Sequence, residues 1–236
     1  MTTTPSGGEL ELAGWRREVA KLYTVVRDAP TPERGHALWR TGRDRLFRQH
    51  PQSPLAPDDP LRRDGLPLAR YDPALRYELA VHPGHTDQRV ALETAPGELT
   101  RLRRIGTITI PAPIDAALAV WWLEQYGGGL FIPIRDQTAG TTSYGGGRYL
   151  IDTAKGADLG GRDGRLTIDL NFLYHPSCRY NPQWQCPLAP ADNTIPTPIH
   201  VGEQLTHLGE PLTRTTGADV PGLPPSGAPH PAEPRR

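Results

Sequence analysis

Near residue 70 the hydrophobic period of this chain changes from helical to alternating, and no other feature narrows its fold so far. Upstream of that point a first helix is predicted over residues 10–26. A second follows Thr31, whose hydroxyl suits an N-cap, with Pro32 at the first helical position and Glu33 in the first turn. Its apolar stripe is Leu38, Trp39, Leu46 and Phe47. Downstream, Leu75, Tyr77, Leu79 and Val81 share one face of an extended segment. Residues 89–94, 99–103, 105–110, 118–123, 130–134, 148–152 and 166–172 read as further short strands, each bounded by Gly, Pro or Asp. Strands without intervening helices imply a mainly β fold: an antiparallel β-sandwich or barrel-like domain with one or two N-terminal helices.

A length of 236 residues suits one domain with tails, expected over residues 9–203. Residues 1–8 read as a disordered polar N-terminus. Residues 204–236, dominated by Pro and Gly, carry too little apolar surface to offset their ordering entropy and read as a disordered tail. Lys plus Arg number 26 and Asp plus Glu 26, so no net field draws the chain to nucleic acid or to an anionic membrane. The longest apolar stretch, residues 110–123, is broken by Pro111, Pro113 and Asp115 and is too short to span a bilayer. The first residues lack the basic start and apolar run of an export signal, so a cytoplasmic location is expected.

The stretch TTSYGGGRYL, between two strand-like segments, reads as the tip of a hairpin. Asp136 and Arg148 are equidistant from its middle and, in a symmetric register, face each other at its base. They suit either a hairpin ion pair or a clamp on a carboxylate or phosphate, which arginine grips in a bidentate way. The glycines permit close backbone approach, in keeping with a loop that closes on a ligand or with a plain turn. No Lys-Ser/Thr follows them, so this is not a phosphate-binding P-loop. In residues 166–172 strict alternation places Asp169 and Asn171 together, opposite Leu166, Ile168, Leu170 and Phe172. The next segment, YHPSCRYNPQWQCPLAPADN, is too irregular for a strand and is expected to fold over a sheet end as a lid.

Taken together, Asp136-x-Thr138-x-Gly140, Thr142-x-Tyr144-Gly-Gly-Gly-Arg148-Tyr149, Asp169-Leu-Asn171, Tyr174-His-Pro176-Ser-Cys178-Arg-Tyr180, Cys186-Pro-Leu, and Asp192-Asn193 through Gly202-Glu203 resemble the string that marks domain of unknown function 1684 (DUF1684). The likeness covers residues 33–203. Leu170, His175 and Asp192 stand where that bacterial and archaeal family more often has Phe, Asn and Glu. The resemblance implies a site built from these polar residues and brings no reaction with it.

The ligand-binding candidates are therefore Asp136, Thr138, Tyr144, Arg148, Asp169, Asn171, Tyr174, Tyr180, Asn193 and Glu203. Cys178 and Cys186 read as free buried thiols, since disulfides are rare in a reducing compartment. With His175 they are weak candidates for a metal, because their spacing matches no structural zinc pattern; no metal or cofactor is expected. The leading reading is a small-molecule-binding β-rich domain, its site near the Gly-rich hairpin and the Pro/Cys lid, its ligand a small anion or polyol. One alternative is a hydrolase-type enzyme with Asp136 or Asp169 as general base, which requires a raised carboxylate pKa. The other is a structural or interaction role.

Overall fold

The alternating segments form two antiparallel sheets that pack as a sandwich and do not close into a barrel. The computed structural model describes residues 7–84, 87–95 and 97–206. The expected disordered termini fall outside these residues for 1–6 and 207–236. Gln204, assigned to the tail by composition, is buried, and the N–H of Leu205 donates to the Thr142 carbonyl.

Three helices precede the sheets: α1 (Gly7–Arg27), α2 (Pro32–Gln49) and the short α3 (Leu61–Asp64). Thr31 caps α2 as expected, its hydroxyl accepting the N–H of Arg34. Trp39 of α2 is fully buried and donates its indole N–H to the Tyr23 hydroxyl of α1 at 3.1 Å.

The larger sheet is a meander in the order β2 (Arg89–Ala95), β3 (Glu98–Ile110), β4 (Ala116–Leu123), β5 (Leu130–Ile134) and β6 (Arg148–Asp152). The smaller sheet has the order β1 (Arg76–Ala80), β8 (Arg165–Asp169), β7 (Gly161–Arg162). Both faces of the meander are covered. Along β4, Leu118 and Val120 enter one core with Ile168 and Leu170 from the side of the small sheet, while Ala119, Trp121 and Leu123 enter another with Tyr23, Val26 and Trp39 of the helices. Burying each large apolar side chain in this way stabilises the fold by about 1.5–3 kcal/mol.

Two expectations are corrected. Residues 99–103 and 105–110 are one strand, β3, in which a bulge between Arg104 and Gly106 resets the alternation. A Cβ on Gly106 would lie 2.6 Å from the His82 carbonyl oxygen, where the chain leaving β1 crosses β3. The run 166–172 is a strand only to Asp169. Its carboxylate accepts the N–H of Asn171 and turns Leu170–Phe172 into a 3-10 helix, so Asp169 and Asn171 do not share a strand face.

No helix is long and apolar enough to cross a membrane among the described residues.

Candidate functional site

Asp136 lies two residues past the end of β5, and Arg148 opens β6, paired in register with Ile134. The two do not face each other across the ladder, yet they meet: Arg148 Nη2 donates to Asp136 Oδ2 at 2.7 Å. Both are buried, and Arg148 has no exposed surface. The other carboxylate oxygen accepts the N–H and hydroxyl of Thr138, at 2.9 and 2.6 Å, and the N–H of Ile199. Arg148 also donates to the carbonyls of Val201, Glu203 and Ile199. Burial pushes the Asp136 carboxyl upward, but the guanidinium and the Thr138 donors outweigh it and hold the group below its ordinary range. This pair staples the hairpin to residues 199–203.

The hairpin itself is tied down. The N–H groups of Thr141, Thr142 and Ser143 donate to the Thr138 carbonyl, and the Ser143 hydroxyl shares a 2.8 Å hydrogen bond with that of Thr138. Gly147 adopts φ +88°, and a Cβ there would stand 2.5 Å from the Ile134 carbonyl oxygen.

Next to this staple lies a second buried network centred on Glu203. Its carboxylate accepts from Arg43 Nη2 at 2.9 Å, from the His175 N–H at 2.8 Å and from the Tyr180 hydroxyl. The Arg43 guanidinium lies 4.9–5.1 Å from the ring centroids of Trp39, Phe47 and Tyr174, so aromatic faces share its charge with Glu203. His175 accepts the N–H of Tyr144 at Nε2, which fixes the neutral tautomer with its proton on Nδ1. Burial, then Arg148, Arg179 and Arg43, hold this imidazole well below its usual pKa. A cavity of about 50 Å³, room for one or two waters, adjoins Arg43, Tyr174 and His175.

Most of the predicted residues converge on these two networks: Asp136, Thr138, Tyr144, Arg148, Tyr174, Tyr180 and Glu203. Asn193 does not. Its side chain bridges the Trp121 indole and the Ala119 carbonyl, fastening the chain to β4. Cys178 and Cys186 are free and half-buried. No group of three or more His, Cys, Asp or Glu side chains suited to a metal occurs among the described residues.

Asp169 and Asn171 belong to a different place. Between the α1–α2 junction and the small sheet opens a cleft of about 680 Å³, with Asp169 in its floor and Arg27, Arg76, Arg162, Arg165 and Glu78 among its walls. That volume falls in the range of small-molecule sites. Asp169 accepts the Tyr71 hydroxyl on Oδ2 at 2.9 Å and Asn171 Nδ2 on Oδ1 at 2.7 Å, with Arg76 Nε 3.8 Å away. Burial raises its pKa above the ordinary carboxylate value against these donors. Arg76 is engaged with Glu78 at 3.1 Å, and Arg165 with the Glu78 carbonyl at 2.9 Å. Arg162, exposed on β7, has no side-chain partner among the described residues.

Arg43 and the arginines of the cleft are absent from the predicted set. Arg43 had a signal: it stands four residues after Trp39 and four before Phe47, on the apolar stripe of α2. Arg162 had none, since its strand is two residues long.

Residues 63–204 match the model of a family described as Protein of unknown function (DUF1684). An uncharacterized protein of Haloarcula marismortui, solved by solution NMR, is 32% identical, with 72% of this chain and 92% of that chain covered and a TM-score of 0.49. No curated protein matches the chain.

Proposed function

Because the chain belongs to the DUF1684 family, which brings no reaction with it, we propose from the geometry alone that it is a small-molecule-binding domain. Its site is the cleft of about 680 Å³ between the α1–α2 junction and the small sheet. The observation that carries this reading is the free guanidinium of Arg162 on the wall of a cleft already lined by Arg27, Arg76 and Arg165. An unpaired arginine beside three others favours an anionic group, which its planar fork binds through two hydrogen bonds. Glu78 and Thr167, bonded to each other at 3.0 Å, offer acceptors and a hydroxyl to a polyol portion. The ligand class is a small hydroxylated carboxylate or phosphate ester.

Binding is preferred to hydrolysis because both candidate bases are occupied. Asp136 is held low and surrounded by donors, and Asp169, 1% exposed, accepts three N–H or O–H groups of its own neighbourhood. Both carboxylates thus serve hydrogen bonds within the fold, whereas a general base must reach a substrate proton. The Gly-rich hairpin contributes no residue to the cleft, and its polar groups serve the staple.

The test is a thermal-shift screen of the full chain and its Arg162→Met variant against sugar phosphates, hydroxy acids and dicarboxylates. Ligand at about 100 times its Kd should stabilise the parent by about 2.7 kcal/mol, and the variant by much less. Equal shifts in both proteins, or no shift with any member of the panel, would overturn the assignment.

A further inference from the structure

We propose that Cys186 and Cys178 form a peroxide-reactive dithiol site, with Cys186 as the attacking thiolate and Cys178 as the resolving thiol. The site lies in the irregular segment after β8, apart from the cleft, and uses residues that neither buried network consumes.

Geometry joins the two cysteines. The backbone N–H of Cys178 points at the Cys186 sulfur, 3.4 Å away. Since the N–Cα bond adds about 1.5 Å, the Cys178 Cα stands at most about 5 Å from that sulfur, which makes the two residues neighbours in space as a disulfide requires. Both residues are half-buried, so a small oxidant reaches them while a bulky one is impeded.

Their surroundings differ in a way that assigns the roles. The Cys178 side chain and backbone N–H, which donates to the Cys186 sulfur at 3.4 Å, favour negative charge there together with the Lys155 ammonium, and hold the Cys186 thiol below its ordinary pKa in spite of burial. Cys178, the donor in that pair, is pushed upward, and its sulfur lies 3.8 Å from the Tyr144 hydroxyl. A thiolate beside a protonated thiol is the arrangement that attacks first with one sulfur and resolves with the other.

The reaction balances with hydrogen peroxide as oxidant. The Cys186 thiolate attacks one peroxide oxygen, an S–O bond forms, the O–O bond breaks, and the departing hydroxide takes a proton and leaves as water. Cys178 then gives up its proton and attacks the Cys186 sulfur. An S–S bond forms, the S–O bond breaks, and a second water departs. Two thiols are oxidised to a disulfide and the peroxide is reduced to two waters.

The experiment treats the full chain, reduced and freed of reductant, with one equivalent of hydrogen peroxide, followed by intact-mass measurement and non-reducing peptide mapping. The expected product has lost two hydrogens and carries a Cys178–Cys186 link. In Cys178→Ser the reaction should stop at a Cys186 sulfenic acid that dimedone traps. A Cys186→Ser protein that consumes peroxide as fast as the parent would overturn the proposal. So would oxidation of either sulfur to the sulfinic acid without a link, or links only between molecules. A second measurement needs no variant: brief iodoacetamide labelling of the parent should modify Cys186 about tenfold faster than Cys178. Equal or reversed labelling would equally overturn the assignment of roles.

Discussion

Arg43 Nη2 lies 2.9 Å from Glu203 Oε2, an ion pair closed across 160 residues of chain that fastens α2 to the C-terminal end of the described fold. Glu203 is fully buried, so removing either partner leaves a charge stranded in a low-dielectric interior. Glu203→Gln is expected to cost about 3–5 kcal/mol, and Arg43→Met a similar amount. The double variant should cost clearly less than the sum, because each single change includes the penalty of the orphaned charge. Urea denaturation of the four proteins measures this, and additive costs would show that the pair is not coupled.

The three glycines of the hairpin should not respond alike. Gly147 combines φ +88° with a Cβ position 2.5 Å from a backbone oxygen, so Gly147→Ala should cost more than about 2 kcal/mol. At Gly145 the nearest atom to an added Cβ is 3.8 Å away and φ lies outside the left-handed region, so Gly145→Ala should fall within about 0.5 kcal/mol of the parent. Equal melting temperatures for the two variants would contradict the geometry of this turn.

Stability should fall as the solution is acidified from about pH 7 to about pH 4. Burial brings the His36 imidazole down to about 4, and burial with the nearby arginines holds His175 well below its usual value. The unfolded chain takes up both protons near pH 6.5, whereas the folded chain does not until lower pH. The unfolded state therefore binds more protons in this window, and the stability present above about pH 6.5 is lost on the way down. His36 alone accounts for about 3 kcal/mol of it. Asp169, raised by burial, has the opposite sign: it protonates first in the folded state and returns part of the loss. Urea midpoints across that range check the slope, and a flat profile would show that the two imidazoles are not held neutral.

Much of this architecture was legible beforehand for a physical reason: periodicity reports which face of an element is buried. It located both long helices, the Thr31 cap, and strands such as residues 130–134 and 148–152, which match β5 and β6. It also brought Asp136 and Arg148 together, though by way of a direct pairing that the register does not contain. It failed where a side chain overrode the pattern. The alternation of residues 166–172 continues on paper past Asp169, but the aspartate carboxylate caps a new turn and ends the strand. Contacts between distant segments leave no local period at all. For that reason the partnership of Arg43 with Glu203, and the cleft assembled from the α1–α2 junction and the small sheet, emerge only in three dimensions.

The two sheets close over very different stretches of chain. Every strand of the meander pairs with its immediate successor, whereas β1 waits for β8, and Arg165 reaches the Glu78 carbonyl across 87 residues. Closing so long a loop costs chain entropy that local hairpins avoid. A molecule that sat in the cleft, touching β1, β7 and β8 together with the α1–α2 junction, would act as a reversible cross-link over that loop. Its occupancy would govern how often the small sheet parts from the rest, and through that the lifetime of the folded chain.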